Sequence, residues 1–326
     1  MRPYTKLVSF VVLLAVLAVP VAALAHMNDV LDWWKLRGYD PPANVVTLAS
    51  EDTMTDNAKH LFYINHPQLI GDKTQFRNFC TISEQTIVLG CYHGIENGIA
   101  VYSVSDTRLN GVEEVTAAHE TLHAAYDRLS SSEKNTLDQE LTDFYNNGLH
   151  DQRIIDTINS YKKTEPNDVV NEMHSVFGTE VTNLPAPLET YYKQYFANRQ
   201  TVVNFSNQYE SVFTQNQQQL DSIKNQIDSL KSELATDKQN IQDEENLLSS
   251  QNKNMQDLLR SGNNSAYNAQ VASYNAQVVR LRANIAAYND KVAQVNSLVE
   301  EYNSLAYTQE SLYNSLDTRV QTQTAQ

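Results

Sequence analysis

Residues 112–129 read VEEVTAAHETLHAAYDRL. Val115, Ala118, Leu122, Ala125 and Leu129 fall three or four apart, the spacing of one face of an α-helix. His119 and His123, one turn apart, share a face of that helix, so both imidazoles can reach a single metal ion. Glu120 stands beside the first of them. Neutral imidazole is a good zinc ligand, and a carboxylate next to an open coordination position can act as a base toward water. The plainer reading of the same pattern is two surface histidines on an amphipathic helix.

Upstream of this helix the chain reads as strands. Thr86 to Tyr92 and Ile99 to Val104 are β-branched and apolar, with Gly94 and Gly98 in the connection between them. A helix over Asp56 to Asn65, capped by Thr53 or Thr55, precedes them. Met27 to about Ser50 reads as a linker and lead-in, and Tyr39-Asp40-Pro41-Pro42 within it cannot continue a helix. Downstream, helices are expected from Ser132 to Asn147, through Ile154 to Tyr161, and from Val169 to a stop near Gly178. A few strands followed mostly by helices make the class α+β.

The third metal ligand should come from one of the later helices. Asn171-Glu172-Met173-His174-Ser175 supplies candidates. Together, His119-Glu120-Thr121-Leu122-His123 and Asn171-Glu172-x-x-Ser175 resemble the gluzincin branch of zinc metallopeptidases, the thermolysin-like group. The resemblance implies a small zincin-like catalytic domain that binds Zn2+ and hydrolyses a peptide or protein substrate. It makes His119, His123 and Glu172 the zinc ligands and Glu120 the general base. It covers roughly residues 85–180. The family pattern has an Asp after the Ser, where this chain has Val176, so support for a ligating histidine must come from elsewhere. Glu180 is the candidate for that support, and also the rival for third ligand. His174, two residues beyond Glu172, points to another side of the helix and reads as structural. Tyr126, Tyr145 and Tyr161 are candidates by type for an oxyanion donor. The family likeness also allows Ile99 to Val104 to be an edge strand that pairs with an extended peptide; an ordinary sheet strand is the equal alternative.

Beyond Leu188 the pattern changes. Leu220, Ile227, Leu234, Ile241, Leu248 and Met255 recur every seven residues. Ser261 to Ser265 (SGNNS) breaks the helix, and a seam of Tyr267, Val271, Tyr274, Val278 and Leu281, continuing to Tyr302, follows. This predicts a long antiparallel α-helical coiled-coil hairpin turning near residues 261–265, with Tyr302 beside Lys224. Asp237, Glu244 and Gln251 fall on seam positions and weaken it. The first helix is expected to run about 70 residues, or roughly 100 Å. Its start, residues 188 to about 209, has no partner in the second helix and should pack on the catalytic part or on another chain. The expected division is therefore 1–26, 27–185 and 186–326.

The N-terminus begins with Arg2 and Lys6, and Leu7 to Ala25 is apolar except for Ser9. This reads as a signal peptide or a membrane anchor, and either places the remainder outside the cytoplasm. The only cysteines, Cys80 and Cys91, suit a disulfide in that compartment; two buried thiols are the alternative. The net charge of -15 excludes nucleic acid as the main partner. Three functions remain open. One is an extracytoplasmic metallopeptidase, with the hairpin as spacer, docking arm or regulatory arm. Another is an inert envelope protein acting through its coiled coil, by binding envelope partners or by self-association. The third is a zinc hydrolase of another envelope polymer, such as the peptide cross-links of a cell wall.

Overall fold

The computed structural model describes residues 27–80, 87–94 and 98–319. The N-terminal segment 1–26 and Thr86 of the expected first strand lie outside the described residues. No helix among the described residues is long and apolar enough to cross a membrane. The protein is α+β: mostly helical, with a small three-stranded sheet and two long helices packed together. It divides into two compact units. The first takes in the described residues up to Ser211 and those from Asn314 on; the second is Val212–Tyr313.

The first unit opens with α1 (Met27–Leu36), α2 (Ala43–Glu51) and α3 (Asp56–Ile64). The expected lead-in is thus two helices. Residues 39–42 do break the chain, but the break ends α1, and Pro42 becomes the N-cap of α2. A proline is harmless at a helix start, where its missing N–H would have had no partner. Thr55 caps α3 through a hydroxyl that accepts from the Ala58 amide. Next come β1 (Gln68–Ile70) and α4 (Lys73–Cys80), both missed in the sequence, then β2 (Gly90–His93) and β3 (Gly98–Tyr102).

The sheet order is β1-β3-β2, with β1 parallel and β2 antiparallel to β3. All of β3 except its first residue is buried. Ile99 and Val101 enter the main core, while Ala100 and Tyr102 pack with Phe76 and Cys80 on the other side. A strand covered on both faces reads as a continuous apolar run, which is why residues 99–102 show no alternation. Of the two readings of residues 99–104, the structure gives the ordinary sheet strand: β3 is central, and β1 and β2 are the edges. Cys80 at the end of α4 and Cys91 in β2 form a disulfide with a Cα separation of 5.6 Å.

A central helix, α5 (Val112–Asp127), follows, then α6 (Ser131–Asn147), α7 (Gln152–Thr164) and α8 (Val169–Glu180). Helix α5 starts at Gly111, whose φ is +106° and whose Cα lies so close to the Phe205 carbonyl that a Cβ would come within 2.7 Å of it. Only glycine meets both conditions. Ser130 and Glu133 form a reciprocal capping box at the start of α6. Helix α8 does not stop at Gly178. A Cβ there would meet Leu122 at 2.4 Å and Tyr192 at 2.7 Å, so this glycine marks close packing, not a helix end.

After α9 (Ala186–Tyr192) the chain breaks before α10 (Arg199–Arg260). The expected single helix from Leu188 is interrupted because this segment pairs with residues 53–55. The Thr55 amide donates to the Tyr195 carbonyl, the Ala197 amide donates to the Thr53 carbonyl, and Phe196 bridges Met54. Leu188, Tyr192, Phe196 and Val202 join the main core. Arg199 is buried, and its guanidinium donates to the carbonyls of Phe177, Val181 and Thr182 and to the Glu189 carboxylate. It thereby satisfies carbonyls at and beyond the end of α8.

In the second unit α10 runs antiparallel to α11 (Asn264–Leu316). Lys224 senses the Tyr302 hydroxyl, Lys291 pairs with Asp237 and Glu233, and the rings of Phe213 and Tyr313 lie 4.9 Å apart. Two of the acidic seam residues are thus partnered: Asp237 by Lys291, and Glu244 by Asn284 and Arg280. At the turn Gly262 takes φ +72°, and the Asn263 side chain accepts from the Ala266 amide to cap α11.

Candidate metal centre

Helix α5 is nearly enveloped by its neighbours, with eleven of its sixteen residues buried. Alanines at 117, 118, 124 and 125 let the surrounding elements approach closely. This fixes the face carrying His119 and His123 against α8, which carries Glu172. The two Nε2 atoms are 3.1 Å apart; His119 Nε2 is 3.5 Å from Glu172 Oε2, and His123 Nε2 is 3.3 Å from Glu172 Oε1. Ligands about 2.0–2.1 Å from a tetrahedral ion lie about 3.3–3.4 Å from one another. The two imidazole nitrogens and the two Glu172 oxygens stand near that spacing, and one donor atom from each residue lies within 4.8 Å of the others, so the residues fit a metal ion held by two imidazoles and a carboxylate.

The centre opens on a cleft of about 560 Å³, bordered by residues 87–93, by α5 and by α7 and α8. Glu120 faces this cleft and is itself buried. Burial pushes its carboxyl up to about 8; His123 pulls down, while Glu172 and Glu165 push further up. Burial also pushes Glu172 up. The His119 hydrogen bond, the charges of both histidines and the Tyr161 hydroxyl outweigh that and leave its carboxyl below the usual range. One carboxyl is thereby held as an anion while its neighbour is pushed toward the protonated form.

No family model, curated protein or solved structure matches the chain. What the site can do is therefore read from its own geometry.

Glu180 is not part of the three-donor group. Its carboxylate accepts from Arg153 at 2.5 Å, although it still lines the cleft. His174 is fully buried among Tyr126, Tyr191 and Tyr192, and burial drives its pKa well below the ordinary value. It stands apart from the donor group. Of the three tyrosines, Tyr126 donates to Asp138 and Tyr145 donates to Asn159, whereas Tyr161 lines the cleft together with Glu172. Val176, where the family pattern has Asp, is a core residue.

Gly90 went unnoticed in the sequence. A Cβ at this position would lie 2.5 Å from Glu120 Oε1 and 2.5 Å from Thr116 Cγ2. The edge strand thus presses bare backbone against the Glu120 carboxyl. The available signal was a glycine inside an apolar strand, which marks a bulge or a close approach.

Proposed function

We propose that the protein is an extracytoplasmic zinc metallopeptidase of the gluzincin type. The observation that carries this reading is the group of His119, His123 and Glu172, with donor atoms within 4.8 Å of one another and the Glu120 carboxyl buried beside them in the same cleft. His119, His123 and Glu172 would hold the metal. Bound zinc supplies Lewis acidity that polarises a carbonyl and lowers the pKa of water.

Glu120 takes the proton of the attacking water and later delivers it to the leaving amine. Gly90 holds Glu120 in place from the opposite side. Tyr161 stands in the cleft as the hydroxyl that donates to the developing oxyanion. The substrate is a peptide or protein segment entering along residues 87–93. The Cys80–Cys91 disulfide supports an oxidising compartment, in agreement with the apolar N-terminal segment.

The test is metal content and peptide hydrolysis of the full chain and three variants. About one zinc per chain is expected in the wild type, unchanged in Glu120→Gln and Glu180→Ala, and sharply reduced in Glu172→Ala. Hydrolysis should vanish in Glu120→Gln. A wild type that takes up no zinc would sink the proposal and leave the inert envelope protein as the better reading. A panel including muropeptides separates peptide substrates from cell-wall cross-links.

A further inference from the structure

Helix α1 carries its apolar side outward. Met27, Val30, Leu31, Trp33 and Trp34 are all exposed, the two tryptophans at 61% and 66%. Among the described residues, five of the thirteen large exposed hydrophobics fall within these ten positions. At 100° per residue they span a single face. The opposite side is turned inward and held by polar groups. The Asp32 carboxylate accepts from both terminal nitrogens of Arg128 and pairs with His60, and the Lys35 carbonyl contacts His66. An ordinary surface helix is built the other way round.

We propose that this face is a membrane-interface anchor, seated in the headgroup region of a lipid bilayer. Three observations name a bilayer as the occupant. The apolar run Leu7 to Ala25 ends with only His26 between it and α1, so a bilayer that receives that run lies beside the helix. The face is built of tryptophan and aliphatic side chains, and the Arg37 guanidinium lies 5.4 Å and 5.9 Å over the two indole rings. Indole has an apolar body and a polar N–H and concentrates at the membrane–water boundary, where arginine also keeps its charge wet. Finally, ten helical residues cover about 15 Å, half of what a bilayer core requires, so α1 lies along the surface. The seat is independent of the metal centre.

Trp33 and Trp34 are the only tryptophans in the chain, so their fluorescence reports on this helix alone. The full chain is reconstituted into phosphatidylcholine vesicles carrying bromine at a shallow or a deep acyl position. The expected result is blue-shifted emission, strongly quenched by shallow bromine and weakly by deep. Val30→Asp combined with Leu31→Asp should abolish that quenching while helical circular dichroism stays unchanged, because both side chains are already exposed. Emission typical of water with no lipid quenching would overturn the proposal and leave α1 in solvent. Blue-shifted emission untouched by either bromolipid would also overturn it, in favour of a second copy or another protein on this face. Equal quenching at both depths would overturn the interfacial placement. None of these readings depends on zinc or hydrolysis.

Discussion

Helices α5 and α11 are both long amphipathic stretches in the sequence, yet they are held in opposite ways. In α5 most side chains are buried, and several approaches are so close that a single added methyl group would collide. In α11 most side chains are exposed or half-buried, and the seam is a repeat of similar layers with ion pairs at its margin. The first is fixed by a few contacts that cannot be exchanged; the second by many that can. Close packing is what holds the His119, His123 and Glu172 side chains and the Glu120 carboxyl in register, whereas a repeat is sufficient to extend a chain.

The largest effect should come from the core side of this contrast. Leu122 lies fully buried between α5 and α8, touching the space beside Gly178. Leu122→Ala should cost about 2–5 kcal/mol, the range for deleting a buried leucine. Leu234→Ala on the half-buried seam should cost about 1–2 kcal/mol, because less surface leaves water there. Urea unfolding of both variants measures the gap, and equal losses would break the comparison.

The second prediction moves from packing to chemistry. Gly90→Ala places a methyl group against the Glu120 carboxyl and Thr116. On the proposed function, hydrolysis should fall roughly 100-fold, the order expected for a misplacement of about 1 Å at the group proposed as the base. Zinc content should stay at the wild-type level, since Gly90 does not touch the ligands. Loss of metal together with activity would mean that the strand supports the whole centre and not Glu120 alone.

These same contacts explain what the sequence did and did not reveal. Spacing alone placed His119 and His123 on one helical face with Glu120 beside them, because a helix fixes that geometry locally. The heptad seam likewise carried the antiparallel pairing and put Tyr302 beside Lys224. Glu172 required the family likeness, since no local rule joins residues 123 and 172. Whether residues 99–104 form an edge or an ordinary sheet strand was not legible, because strand order depends on partners far along the chain; the structure gives the ordinary, central strand. Gly178 was read as a helix stop because a packing glycine and a terminating glycine look alike without their neighbours. Residues 27–36 read as part of a linker although they form α1, since the break at residues 39–42 limits only where that helix ends.

A third prediction concerns the joint between α1 and α5. Burial raises the Asp32 carboxyl, but Arg128 and His60 outweigh it and leave its pKa below the ordinary value. A depressed folded-state pKa stabilises the fold above the unfolded value, near 3.9, and that contribution is lost as pH falls through the lower folded value. Asp32→Asn should therefore cost about 1–2 kcal/mol at pH 7, after allowance for the part-exposed Arg128. The difference from wild type should shrink as the pH is taken below about 4. A difference that is constant with pH would show that the joint is held by shape and not by charge.

The smallest effect should come from the turn of the hairpin. Gly262 has φ +72°, and no atom lies within 4 Å of the point where its Cβ would be. A methyl group there collides with nothing, so Gly262→Ala tests backbone conformation alone. The left-handed region costs an L-residue about 1–2 kcal/mol relative to glycine. Alanine also restricts the unfolded chain, which returns part of that cost, so a net loss of about 1 kcal/mol is expected. Thermal unfolding of the full chain should show the change in the transition that belongs to the hairpin, with zinc content and hydrolysis untouched. If hydrolysis changed as well, the turn would be coupled to the metal centre, and the division between a region of fixed contacts and a region of exchangeable ones would fail at its most exposed point.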